Sequence, residues 1–333
     1  MRLEYKSFDY DEINQNLEKV AFSLAAQMND PEIRKIIKDE ALKQFDGDYD
    51  ILYNHLKNIK TKDGKSIGEK LMLKNKNIHA QATKIPKFQL SVPINCESWD
   101  TENHIPLVVI IPQGKSDKEI SRLKAIDYKG NIHFLDAKKV PNEPVVVLNE
   151  SERTDENGNL LENLVLSTNR NLSNGRLENS AEYLGRIYAP NPSALEAWWD
   201  SNLEMRLVVS VRPNGGTPTS VIDAIYNASR TCISEQHSNG QHGCYFGNFL
   251  FTWLPSYGQT ITYTWIEYDG GGLDTLTFSV SYAPPNSGIT STISRTINRS
   301  TWDEHANQST VWRGEASNTE YGGGSIFSFR IFF

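Results

Sequence analysis

Four residues able to bind metal or to cross-link crowd one stretch of this sequence. "TCISEQHSNGQHGC", Thr231 to Cys244, holds Cys232, His237, His242 and Cys244. Thiolates and imidazoles are zinc's preferred ligands, and four of them make a closed structural site. The spacing argues against that site, because one residue separates His242 from Cys244 and no Cys-x-x-Cys pair occurs. The preferred reading is a disulfide between Cys232 and Cys244, closing a polar loop with both histidines solvated. A third reading leaves neither bond nor metal.

A second cluster is acidic. "FDGDYD" sets Asp46, Asp48 and Asp50 at alternate positions, as a calcium loop opens. The rest of that pattern fails, since Ile51 stands where the loop needs glycine and Lys57 where it needs glutamate. The expected role is therefore to end one helix and start the next, with Gly47 in the turn. No cofactor is expected; zinc on His237 and His242, or calcium on Asp46, Asp48 and Asp50, are the alternatives.

Catalytic motifs are scarce. "LPSYG" lacks the first glycine of a nucleophile elbow, and "WDEHAN" does not make a His-Glu-x-x-His helix. Glu267 and Asp269 suggest a carboxylate pair for sugar hydrolysis, but they flank a turn and read as solvated acids. Cys96 precedes His104 by eight residues and reads as a buried thiol. Binding is therefore expected over catalysis. Flat aromatic side chains suit binding surfaces because they lose little entropy. Six tryptophans, Trp198, Trp199, Trp253, Trp265, Trp302 and Trp312, lie in the later part, most of them expected in the core. Trp265, Tyr268, Asp269 and Trp302 are the expected contact residues.

The elements that must position these groups fall into two modules. A chain of 333 residues exceeds one ordinary core. Lysine stops at Lys139, and the later part is rich in Gly, Ser, Thr and Asn. The fold class expected is α+β: a helical start plus small sheet over residues 1–155, then an antiparallel β-sandwich over 156–333. Ile13, Leu17, Val20, Ala21, Leu24 and Met28 recur at helical spacing behind Asp9 or Asp11. A second helix starts at Asp30 and Pro31, a third over "ILYNHLKNI", and a short one over "SIGEKLMLK". "KFQLSVPI", "PLVVIIP", "LKAIDYKGNIHFLDA" and "EPVVVLNE" read as strands, with a hairpin turn at Gly130. In the second module "EMRLVVSVRP", "TITYTWIE", "GITSTISRTIN" and "SIFSFRIFF" read as strands. "PTSVIDAIYNAS" and "NPSALEAWWDS" read as helices.

"IRKIIKDEALKQFDGDYDILY", "VPINCESWD" and "LKAIDYKGNIHFLDAKKVPNEPVVVLNESERTDENGN" resemble an uncharacterised family of Bacteroidetes-type secreted proteins and lipoproteins. The resemblance covers roughly residues 9 to 160, and "LNESERTDENGN" departs from its pattern by an inserted "ES". It implies an exported protein and no particular chemistry.

A net charge of −7 argues against a general nucleic-acid binder. No apolar run is long enough to span a bilayer as a helix. "MRLEYKSFDYDE" is charged from the start, as in a cytosolic protein or the mature part of an exported one. The expectation is a secreted or cell-surface binding protein, meeting a protein, glycan or membrane surface through loops of the C-terminal sandwich. Two alternatives stand beside it. "GITSTISRTINRST" alternates like a pore-lining hairpin and suggests a toxin-like, membrane-acting protein. His237 and His242 suggest a metal-dependent hydrolase.

Overall fold

The computed structural model describes residues 9–155, 157–160, 164–165, 179–200, 202–236, 241–269, 273–282, 291–300, 303–322 and 326–333. The chain divides into two units, Met1–Leu161 with Ala197–Ser201, and Glu162–Glu196 with Asn202–Phe333. Helices and several antiparallel sheets together make an α+β protein.

The first unit begins with α1 (Tyr10–Gln27) and α2 (Pro31–Ala41). Asp9 caps α1 by accepting from the Glu12 N–H at 3.0 Å, and Asp30 caps α2 ahead of Pro31. The predicted third helix opens instead as β1 (Asp50–Leu52), followed by a single turn, α3 (Tyr53–Leu56). The signal was period two: Ile51 and Tyr53 are both buried, and Ile51 pairs with Leu90. A capping box of Ser66 and Glu69 starts α4 (Ile67–Met72), and α5 (Ile78–Ala82) follows.

Strands β2 (Phe88–Ser91), β3 (Val108–Ile110), β4 (Arg122–Ile126), β5 (Ile132–Asp136) and β6 (Val146–Glu150) complete a sheet of order β1-β2-β6-β3-β4-β5. The solid apolar runs follow from burial of both faces. Val108, Ile110, Val146 and Leu148 pack with α1 and α2. Val109, Leu123, Ala125 and Val147 pack with Trp198 and Trp199. Those two tryptophans therefore belong to the first unit, where the Trp198 indole N–H donates to the Ala137 carbonyl at 3.0 Å. The helix expected around them is a pair of short 3₁₀ turns.

The second unit contains β7 (Leu164–Val165), β8 (Ala181–Tyr188), β9 (Leu203–Val211), β10 (Thr219–Ala228), α6 (Arg230–Ser234), β11 (Cys244–Thr252), β12 (Thr260–Glu267), β13 (Leu273–Tyr282), β14 (Ser291–Ser300), β15 (Glu304–Trp312), β16 (Glu320–Tyr321) and β17 (Ser328–Phe332). They form one sheet of order β15-β12-β9-β10-β7, a second of order β11-β8-β17-β16, and the separate hairpin β13-β14. Leu184, Ile187, Phe246, Phe329 and Ile331 from the second sheet, with Phe327 just before β17, meet Met205, Leu207, Tyr263 and Trp265 from the first in one core. "PTSVIDAIYNAS" is strand β10 and not a helix. Its pairing with β9 shifts register between Ser220 and Ile222. That bulge breaks the strict alternation and leaves apolar pairs at near-helical spacing.

Strand β12 is buried along its whole length. Tyr263 and Trp265 face the core, while Ile266, with Val208, packs against Phe278 and Ile297 of the hairpin.

Candidate functional site

The outward face of the β11-β8-β17-β16 sheet is built by a one-residue bulge. On β8, Ile187 and Leu184 are both buried in the core although three residues apart. The register explains it: Arg186 pairs with Tyr245 and Arg330, Leu184 pairs with Asn248 and Ile331, and Gly185 has no partner on either side. The extra residue resets the phase, so Tyr183, Arg186 and Tyr188 all point away from the core.

Two rows of side chains result. Across the strands, Phe249, Tyr183 and Phe332 stand in register, and so do Tyr245, Arg186 and Arg330. Phe249 is 54 % exposed. The Tyr183 and Phe249 rings meet edge to face at 5.7 Å, and Tyr245 and Phe332 at 6.4 Å. The Arg186 guanidinium lies over the Tyr245 ring, 5.4 Å from its centre. Glycines seat these rings. A Cβ at Gly185 would fall within the ring of Phe332, and one at Gly247 would touch the ring of Tyr245.

The Cys232–Cys244 segment borders this face. The two cysteines form a disulfide, which ties α6 to the first residue of β11. Arg186 donates to the Gly243 carbonyl at 2.7 Å and to the Gln241 side-chain oxygen at 3.3 Å. The Gln236 amide donates to the Tyr188 hydroxyl at 2.8 Å, and the His242 ring meets Tyr188 at a tilt, 5.2 Å between centres. With both sulfurs joined, the four-ligand zinc set is not available. His237 lies outside the described residues.

The aspartates meet a cation. Arg153 places one guanidinium nitrogen 3.7 Å from Asp46, 3.1 Å from Asp48 and 3.5 Å from Asp50, all four residues buried. Asp50 also accepts from the Gln89 amide at 3.1 Å. Burial, then the neighbouring Asp46 and Asp48, holds the Asp50 carboxyl well above its ordinary range. Burial raises Asp46 as well, with Arg153 opposing. "FDGDYD" and "ERTDENG" are thus two halves of one charge cluster, centred on a guanidinium.

The expected contact residues fare differently. Trp265 is wholly buried between Tyr226, Phe327 and Phe329, so it builds the core and not the surface. Tyr268 and Asp269 are half-buried, and the Asp269 N–H donates to the Asp303 carboxylate at 2.9 Å. Trp302 lies outside the described residues. Glu267 is buried rather than a solvated turn acid. Its carboxylate lies with those of Glu196 and Glu204, all within 4.8 Å of one another. No spacing in the sequence marks that trio. Cys96 is buried, and its thiol is pushed up to about 12 by that burial.

Fold and face together define an α+β protein with an aromatic sheet surface on its C-terminal unit. A domain of the family described as "Protein of unknown function (DUF3103)" covers residues 18–183. It spans most of the first unit and ends at Tyr183, inside β8. No curated protein and no solved structure matches the chain.

Proposed function

We propose that this is an exported binding protein whose contact surface is the outward face of the β11-β8-β17-β16 sheet. The observation that carries the reading is the row Phe249, Tyr183 and Phe332, with the Phe332 ring seated against Gly185. Pre-seated rings offer a flat surface at little entropic cost, which suits a ligand made of flat rings, a glycan above all. The Cys232–Cys244 disulfide supports an oxidising compartment. No described helix is long and apolar enough to cross a membrane.

The test is a glycan array followed by titration of Phe249→Ala. An exposed side chain of this kind changes folding stability by only about 0.5 kcal/mol. A central aromatic contact is worth about 2 kcal/mol or more, so affinity falls about 30-fold. Unchanged affinity would remove this face from the account.

One observation favours a second reading. The β13-β14 hairpin has ten-residue strands, and a membrane-spanning strand needs about 9–11. Thr275, Thr277, Ser279, Ser294, Thr296 and Asn298 form its exposed face, while Phe278 and Ile297 are covered. Arg295 and Arg299 stand on the covered side. A lipid-facing arginine costs about 2–4 kcal/mol at the bilayer midplane, so dye release from liposomes is expected to be absent. Leakage at low protein concentration would put this reading first.

A further inference from the structure

Resting on the binding reading above, we infer that the ligand of the β8 face is an acidic polysaccharide, its uronate carboxylates read by Arg186. The face carries an uneven charge. Arg186 and Arg330 are direct cross-strand neighbours, an arrangement that disfavours folding because like charges face each other. Arg330 is answered by Glu320 at 2.7 Å. No described carboxylate lies within 4.0 Å of Arg186. Tyr245 and then Glu235, on the exposed loop, act on it electrostatically from beyond that distance. A chain whose net charge is −7 thus keeps a guanidinium with no described carboxylate at ion-pair distance beside an aromatic surface.

Arg186 is also held ready. Two of its five N–H groups bond to Gly243 and Gln241, and its plane rests on Tyr245. A guanidinium fixed in this way presents its remaining N–H groups as a rigid fork, the geometry that matches a carboxylate. The rings of Tyr183, Phe249 and Phe332 lie one row away, next to Arg186 along β8 and β17. A sugar ring stacked on that row brings a carboxylate on the same or the neighbouring residue to the guanidinium. Single-stranded nucleic acid also stacks on aromatic sheet faces. Among the described residues of this face it would find Arg186 without a carboxylate at ion-pair distance, in an acidic protein, where a nucleic-acid binder tracks the backbone with a basic stripe.

The experiment is affinity electrophoresis of the full chain through gels containing polygalacturonate, a neutral galactan, dextran sulfate or no polymer, with an oligothymidylate titration alongside. Polygalacturonate is expected to retard the protein, with affinity at least tenfold above the neutral polymer and falling as salt rises. Arg186→Gln is expected to lower polygalacturonate affinity at least tenfold and to leave binding to the neutral polymer unchanged. Because Arg186 also holds Gly243, Glu320→Gln serves as the second variant. It removes the carboxylate that pairs with Arg330 and is expected to tighten polygalacturonate binding severalfold. Equal affinity for the neutral polymer, or dextran sulfate bound as tightly as polygalacturonate, would overturn the carboxylate assignment while the binding reading stands. Oligothymidylate bound more tightly than any polysaccharide would overturn it in favour of nucleic acid. Retardation by none of the polymers would overturn both the inference and the glycan reading on which it rests.

Discussion

At the residue scale, the Asp46–Asp48–Asp50–Arg153 cluster makes the sharpest stability claim. Removing the cation leaves three buried carboxylates unanswered by Arg153, so Arg153→Ala is expected to cost about 3–5 kcal/mol in denaturant titration. The pH dependence has a defined sign. Asp50 is raised above its ordinary value of 3.8, so the folded state holds this proton more tightly than the unfolded chain does. Its contribution to stability is complete below 3.8 and is lost as pH rises towards the folded value. Asp50→Asn removes this titration. Relative to wild type, the variant is expected to gain in Tm between pH 4 and pH 8, measured by circular dichroism. A variant that loses ground over that range would show that Asp50 is ionised and stabilising. The alternation of the three aspartates is visible in the sequence, but their partner is not, because Asp48 and Arg153 lie 105 residues apart.

At the scale of elements, local signals were readable and phase changes were not. The caps of α1 and α2 lie within three residues of what they bind, so residue type alone announces them. The β10 bulge turns a strand into an apparent helix. The bulge at Gly185 hides the proposed binding face in the same way. Strict alternation from Tyr183 would put Arg186 on the opposite face, and only the neighbours' register shows both on one side. The disulfide was legible because its cysteines are 12 residues apart across a polar loop. Reducing it, or replacing both cysteines by serine, is expected to cost about 3 kcal/mol on the chain-entropy model. The same change loosens the Gly243 carbonyl that holds Arg186, so binding weakens along with stability. Stability lost with affinity intact would separate the loop from the face.

At the scale of the whole molecule, composition announced two modules but misplaced one piece. Lysine stops at Lys139, the first unit runs on to Leu161, and Ala197–Ser201 returns to it, with Trp198 and Trp199 in its core. That return is a tertiary event with no local signature. The core of the second unit takes Trp253 and Trp265, while Trp312 is half-buried and Trp302 lies outside the described residues. Counting tryptophans therefore pointed away from the proposed contact surface, whose residues, Tyr183, Tyr245, Phe249 and Phe332, are unremarkable in the sequence.

Oxidative footprinting of the intact protein, with and without a bound polysaccharide, tests the central claim most directly. Tyr183, Tyr245, Phe249 and Phe332 are expected to be protected together when ligand is present, with the β13-β14 hairpin unchanged. Protection confined to the hairpin, or to Tyr268 and its neighbours, with full oxidation of Phe249 in the complex, would contradict the claim that this sheet face is the binding surface.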